Sequence, residues 1–314
     1  MGEAGGRKLK EGLYELVEVG EEFGPIEEVI TDHKIKTFAF MMDDYHPWHF
    51  GDSPFGRRIG HAGILANDLL QLFTTVYDAN TVVGLHTQEE LWFVNPVFAG
   101  ERSRLRGKYV EKYERRGKGY VVMEADARGE DDRVLLRHRG VEILRIEPGP
   151  VVGKSTAEAV EKRVTGAYRK DVEPVARARP GLTSGTPLPP LVKHVTQEQV
   201  AVFSGVGKHL RNIHTDIGIA RKGGLPNTMI QGMMECVYLT EMLTSFFGPA
   251  WFTTGWEKMK FIRPVYSGET ITAHGAVTGE SRDAEGTRLE LEIWVENAAG
   301  EMTAAGWASA RVGG

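Results

Sequence analysis

The chain has 314 residues, of which 41% are hydrophobic and 26% charged, with a formal net charge of -5; this is a globular balance with no basic excess to suggest nucleic acid as a partner. The lone cysteine, Cys236, excludes an intrachain disulfide and sits in an apolar run, where it reads as a buried core thiol. No stretch approaches the ~20 apolar residues of a membrane span, and the first residues lack a signal-peptide core, so a cytoplasmic protein is expected.

In chain order, a short helix is expected around Phe38, followed by a polar loop that ends at His49. A longer helix is predicted over Ala62–Tyr77, apolar nearly all round and therefore buried. Four β runs follow, Leu91–Phe98, Arg102–Tyr113, Gly119–Ala127 and Val134–Ile146. Glu147–Pro190 then holds seven prolines; its ends read as linker, with a short helix expected over Thr156–Tyr168. After it the same order returns. A short helix around Phe203 leads to a loop ending at His214, a helix over Gly232–Phe247, and β runs at Glu257–Val265, Thr270–Gly279, Arg288–Asn297 and Met302–Val312. Several of these alternate apolar and polar residues, as half-buried strands do.

The return is a repeat at residue level. Phe93–Glu101 (FVNPVFAGE) and Phe261–Glu269 (FIRPVYSGE) share Phe-x-x-Pro-Val-aromatic-x-Gly-Glu at an offset of 168. His49 matches His214 at an offset of 165, and His61 matches Gln231 at 170. Landmarks in one order, separated by loops of varying length, indicate a duplicated unit. Each copy is an α+β unit of antiparallel strands around one buried helix. The expected boundaries are 1–147 and 188–314, with 148–187 as linker.

The loop of the first copy is Asp44-Tyr45-His46-Pro47-Trp48-His49, followed by Phe55-Gly56-Arg57-Arg58-Ile59-Gly60-His61-Ala62-Gly63. These residues resemble the MaoC-like, or (R)-specific enoyl-CoA hydratase, family. Its motif is Asp-x-Asn-Pro-x-His, then a Gly-rich approach to a central helix and the strand pattern of Phe93–Glu101. The resemblance covers roughly residues 15–146 and 188–312. It implies a double hotdog fold and a hydro-lyase acting on a 2-enoyl or 3-hydroxyacyl thioester with R configuration. Asp44 and His49 fall on the family's Asp and His. His46 stands where the family has Asn. Asp43 is one residue too far from His49 for the family spacing.

Hydration of an α,β-unsaturated thioester needs a base for the water proton, an acid for the α-carbon, and a donor for the developing enolate oxygen. A carboxylate and an imidazole on one loop serve the first two. A backbone N–H at the start of the central helix, from Gly63 or Ala62, serves the third. An Asp and a His on a loop are more often only polar loop residues. The helix approach and strand pattern that follow are what favour catalysis here.

The second copy has His209-Leu210-Arg211-Asn212-Ile213-His214 and then a closer match to the family's approach to the helix at Gly232. His209 occupies the Asp position and Arg211 the Asn position, so the carboxylate is missing. The expectation is that His209, Arg211, His214 and Gly232 shape a pocket while the first copy does the chemistry. In type-2 eukaryotic relatives the working motif is the C-terminal one, which points the other way. An Arg at position 211 also suggests recognition of a carboxylate on the acyl chain.

Arg57, Arg58, Arg221 and Lys222 flank the helix starts and are weak candidates for coenzyme A phosphates, with solvated surface charge the plainer reading. His61 and Gln231 read as structural polar residues, and Trp48, Trp92, Trp251, Trp256 and Trp294 as core or interface filler. No metal-ligand spacing, dinucleotide fingerprint or nucleophile elbow occurs. No cofactor is expected beyond coenzyme A as part of the substrate, with acyl carrier protein an alternative carrier. Monomer and homodimer both remain open. A hotdog thioesterase and a non-catalytic acyl-thioester-binding or scaffold partner are the competing functions.

Overall fold

The computed structural model describes residues 9–82, 84–145, 163–205 and 211–313. In chain order the elements are β1 (Lys10–Glu11), β2 (Glu22–Val29), α1 (Asp32–Met42), α2 (Ala66–Leu70), β3 (Tyr77–Asp78), β4 (Leu85–Phe93), β5 (Arg102–Arg115), β6 (Lys118–Arg128) and β7 (Val134–Arg145). Then come β8 (Leu191–His194), α3 (Gln197–Ser204), α4 (Ile217–Lys222), α5 (Gly232–Phe247), α6 (Trp251–Thr254), β9 (Trp256–Phe261), β10 (Thr270–Asp283), β11 (Gly286–Asn297) and β12 (Met302–Val312).

Among the described residues, ten strands form one sheet in the order β2-β5-β6-β7-β4-β9-β12-β11-β10-β8. Its left half is repeated in its right half: β2, β5, β6, β7 and β4 correspond to β8, β10, β11, β12 and β9. The halves join through β4 and β9, which run antiparallel. At that seam Glu90 lies opposite Lys258. The two are also 168 residues apart, the repeat's own offset, so a pseudo-twofold axis passes between them. The duplicated sequence has folded as two like units across a twofold, in the manner of an isologous dimer.

The two central helices are unequal. The helix predicted over Gly232–Phe247 is α5, with those bounds, and nearly all of it is buried. The helix predicted over Ala62–Tyr77 is not formed as such. The α-helix there is only Ala66–Leu70, a 3₁₀ segment continues over Gln71–Thr75, and Tyr77–Asp78 pairs with Lys10–Glu11. The residues account for this. Asn67 and Asp68 commit their side chains elsewhere, Asn67 Nδ2 donating to the Phe203 carbonyl at 2.8 Å and Asp68 accepting from Lys34 Nζ at 2.5 Å. Thr74, Thr75 and Val76 are β-branched and lose rotamer freedom in a helix.

β2 and β8 are absent from the sequence reading. Both are edge strands, β2 carries Pro25, and its register slips between Phe23 and Ile26, which is where proline is tolerated in a sheet. The segment read as linker is tied to the second half where it is described. Gly185 N–H donates to the Val277 carbonyl (2.7 Å), Leu188 N–H to Gly275 (2.9 Å), and Thr165 N–H to Glu292 Oε2 (2.9 Å). The helix expected over Thr156–Tyr168 lies mostly outside the described residues, and residues 163–168 are not helical.

One position in the second half admits no side chain. A Cβ on Gly306 would lie 1.9 Å from the Lys258 carbonyl oxygen and 2.6 Å from Met259 Sδ. Backbone on a central strand cannot yield as a flexible side chain does. Gly306→Ala is expected to destabilise the protein by about 1–3 kcal/mol, read as a lowered denaturation midpoint with an unchanged slope. An unchanged midpoint would contradict the tight approach of β9 and β12.

Candidate active site

α1 ends because Asp43 turns into the left-handed region (φ 49°, ψ 40°), and the Asp44 N–H closes the helix by donating to the Ala39 carbonyl at 2.9 Å. Asp44 Oδ1 then accepts the His46 N–H at 3.0 Å, an Asx turn. Pro47 opens a single 3₁₀ turn, Pro47–His49, and His46 Nδ1 accepts the Trp48 N–H at 3.3 Å as its cap. His46 therefore caps the turn through its side chain, as a short polar residue would, and the departure from the family's Asn leaves the loop intact.

This turn aims His49 back at Asp44. His49 Nε2 lies 3.1 Å from Asp44 Oδ2, and its Nδ1 lies 3.2 Å from the Ile59 carbonyl. Both side chains are buried. Both ring nitrogens of His49 thus face oxygen atoms, one the Ile59 carbonyl and one the Asp44 carboxylate. Burial pushes the Asp44 carboxyl up, but the hydrogen bonds from His49 and from the His46 amide oppose it, and Asp44 is held well below the usual carboxylate range.

His61, read from sequence as a structural polar residue, stands beside the dyad. Its Nε2 is 3.6 Å from Asp44 Oδ2, beyond hydrogen-bonding distance. Its Nδ1 accepts the Gly63 N–H at 2.9 Å, so the neutral ring carries its proton on Nε2. Burial lowers its pKa to about 3 and keeps it neutral near pH 7. Gly63, one of the two amides expected to meet a thioester oxygen, donates its N–H to His61 in this structure. Among the described residues nothing accepts the Ala62 N–H, which leaves Ala62 of the two. The expected help from a helix dipole is also reduced, because α2 begins only at Ala66 and is one turn long. His61→Gln, which installs the residue found at the matching position of the second half, is expected to lower turnover less than tenfold. His49→Gln should exceed that by at least another factor of ten; equal losses would put His61 in the dyad.

The second half repeats one contact of this loop: His214 Nδ1 lies 2.7 Å from the Met229 carbonyl, the counterpart of Ile59. Asn212 Oδ1 accepts the His214 N–H at 2.8 Å, a turn placed differently from that of Asp44, since Asn212 matches Pro47 in the repeat. His209 lies outside the described residues. Arg211 is three-quarters exposed, and Asp216 Oδ2 accepts from its Nη2 at 2.5 Å and its Nε at 2.9 Å. An outward guanidinium already paired at the N-cap of α4 is not placed to receive a carboxylate on an acyl chain, so that expectation is not supported. Gly232 is the first residue of α5, where a Cβ would meet the Phe261 ring at 2.8 Å.

The basic candidates divide. Arg58 Nη1 pairs with Asp32 Oδ1 at 2.6 Å, and the Arg57 guanidinium lies 4.6 Å from the centre of the Phe98 ring. Arg221 and Lys222 occupy the last turn of α4 and are exposed. Trp48 packs on Phe252 from the second half, Trp251 and Trp294 are buried, and Cys236 is buried with its thiol pushed up by burial. Among the described residues no group of His, Cys, Asp and Glu side chains could hold a metal ion, and no helix is long and apolar enough to cross a membrane.

Two α+β halves around a pseudo-twofold, each with a His loop leading into a central helix, define a double hotdog. The family model described as "MaoC like domain" matches residues 182–297, so the C-terminal half carries a MaoC-like domain. A solved structure described as a MaoC-like dehydratase is similar over 94% of this chain and 98% of its own (TM-score 0.73, 16% identity). A MaoC domain protein dehydratase from Chloroflexus aurantiacus covers 96% of this chain and 98% of its own (TM-score 0.70, 11% identity). A Mycobacterium tuberculosis protein described as having a double hotdog fold covers 95% of this chain and 98% of its own (TM-score 0.65, 15% identity). No curated protein matches the chain. The chain thus has the MaoC-like double hotdog fold, and the family model matches the half whose motif lacks the carboxylate.

Proposed function

We propose that this protein is a hydro-lyase that reversibly hydrates a 2-enoyl thioester to the 3-hydroxyacyl thioester, with acyl-CoA as the substrate carrier and R configuration at the new hydroxyl. The observation that supports it best is the buried contact of Asp44 Oδ2 with His49 Nε2 at 3.1 Å. In hydration, the unprotonated pair takes a proton from a water seated against both groups. The resulting hydroxide adds to C3, and negative charge moves to the thioester oxygen. The Ala62 N–H meets that oxygen. The pair then returns its proton to C2, so the net change is the addition of one water. In the reverse direction the unprotonated pair takes the C2 proton and gives it to the departing hydroxyl, so that one water leaves. A positioned acid–base pair of this kind contributes about 10²–10⁴ in rate.

Purified protein mixed with a 2-enoyl-CoA should consume the conjugated enoyl absorbance without releasing free thiol. Release of coenzyme A thiol would make it a thioesterase. Tight acyl-CoA binding without turnover would make it a binding or scaffold partner. A screen of short, branched, dicarboxylic and long enoyl-CoAs identifies the acyl group.

A further inference from the structure

Lys193 lies on β8, in the second half, and its ammonium is buried where the second half meets the end of α1. Only 4% of the residue is exposed. Nζ donates to the carbonyls of Met42 (2.9 Å) and Asp43 (2.8 Å), and lies 2.7 Å from Glu241 Oε2 on α5 and 5.6 Å from the centre of the Tyr238 ring. Gln199, on α3, donates through Nε2 to the Phe40 carbonyl at 3.2 Å. The last carbonyls of a helix have no partners within it and form its negative end. Here the second half supplies those partners, and the residue that follows Asp43 is Asp44.

We propose that Lys193, which also contacts Glu241 at 2.7 Å, is a positioning residue for Asp44. The inference rests on the reading of Asp44 and His49 as the reacting pair. The left-handed Asp43 is the last hinge before the carboxylate, and its carbonyl is fixed from across the twofold. Rotation of that peptide would swing Asp44 relative to His49, whose own ring is anchored separately on the Ile59 carbonyl. A displacement of about 1 Å in a reacting group can cost on the order of 100-fold in rate. In this arrangement the second half, whose own loop lacks the carboxylate, sets the geometry of the first.

Lys193→Met tests this, with Lys34→Met as its control. Lys34 is a partly buried lysine with two carboxylate partners, Glu28 at 2.7 Å and Asp68 at 2.5 Å, at the far end of α1. Because Lys193→Met leaves Glu241 buried beside no cation, the double variant Lys193→Met/Glu241→Leu is made in parallel in case the single one does not fold. Turnover on a 2-enoyl-CoA and the NMR resonances of the His49 ring are measured for each. Both clamp variants should lose about 10- to 100-fold in kcat with KM within threefold, and their His49 resonances should move. Lys34→Met should melt earlier yet keep kcat within twofold and the His49 resonances in place. Folded clamp variants with kcat within twofold of wild type and unmoved His49 resonances would overturn the proposal. A wild type inactive on enoyl thioesters would instead remove the functional reading, and the His49 resonances would still decide whether the clamp positions the pair.

Discussion

Asp44→Asn should lower kcat for enoyl-thioester hydration by about 10²–10⁴-fold while KM and the melting temperature change little. The amide keeps Oδ1 as an acceptor for the His46 N–H, so the Asx turn that shapes the loop survives. What it changes is the proton. An Asn Nδ2 facing His49 Nε2 donates to it, and with Nδ1–H held on the Ile59 carbonyl the ring is then locked neutral with no shared proton to move. A structural role for Asp44 would produce the opposite pattern, a lower melting temperature with turnover retained per folded molecule. The assay is loss of enoyl absorbance beside a thermal melt on the same preparation.

The second large effect is on stability at alkaline pH. Three glutamates lie buried at the seam of the halves: Glu235 on α5, Glu89 on β4 and Glu257 on β9. Burial pushes the Glu235 carboxyl up to about 8 against a hydrogen bond from Thr303 Oγ1 at 2.6 Å. It pushes Glu89 up to about 7 although His86 and His138 each place Nε2 3.0 Å from Oε2, and it pushes Glu257 well above the usual range. A folded-state pKa raised above the unfolded value of ~4.3 means that the folded state keeps a proton the unfolded state releases. This contribution to stability is full below about pH 4 and is lost as pH rises toward the folded pKa. For Glu235 the loss is on the order of 3–5 kcal/mol by pH 8, at about 1.4 kcal/mol for each pKa unit. Glu235→Gln removes the titration and keeps an acceptor for Thr303. It should therefore raise the melting temperature at pH 8.5 by roughly 5 °C or more and change it much less at pH 5. The same shift at both pH values would show that Glu235 is not protonated in the folded core.

The repeat was readable because its landmarks sit where side chains are constrained. Phe93–Glu101 and Phe261–Glu269 lie where strands leave the central seam, and the aromatic, Pro and Gly positions are the ones the chain's geometry restricts. Strand patterning located β5, β6, β11 and β12 well: β5 begins with alternating buried and exposed residues, and the others are long apolar-rich runs. The edge strands β2 and β8 were not readable, because an edge strand need not alternate and Pro25 lacks the N–H a strand ladder uses. The broken first helix was misread for another reason. Ala62–Tyr77 has the apolar density of a buried helix, and the bonds that divert Asn67 and Asp68 come from Phe203 and Lys34, which no local window contains.

The site was half legible. The spacing of Asp44 and His49 marked two residues that the fold brings to 3.1 Å. The hydrogen bond of the Gly63 amide to a His two residues earlier was not readable, and His61 carried no signal for its place beside the pair. Lys193 gave none at all: it is one lysine in an edge strand, and its role exists only once β8 is laid against the end of α1.

The central claim is that the N-terminal loop does the chemistry, although the family model matches the C-terminal half. The measurement that tests it most directly compares enoyl-CoA hydration by His49→Gln and His214→Gln at equal folded concentration. The account predicts loss of at least 100-fold for His49→Gln and less than tenfold for His214→Gln. Full activity in His49→Gln with loss in His214→Gln would contradict it and place the reaction in the second half.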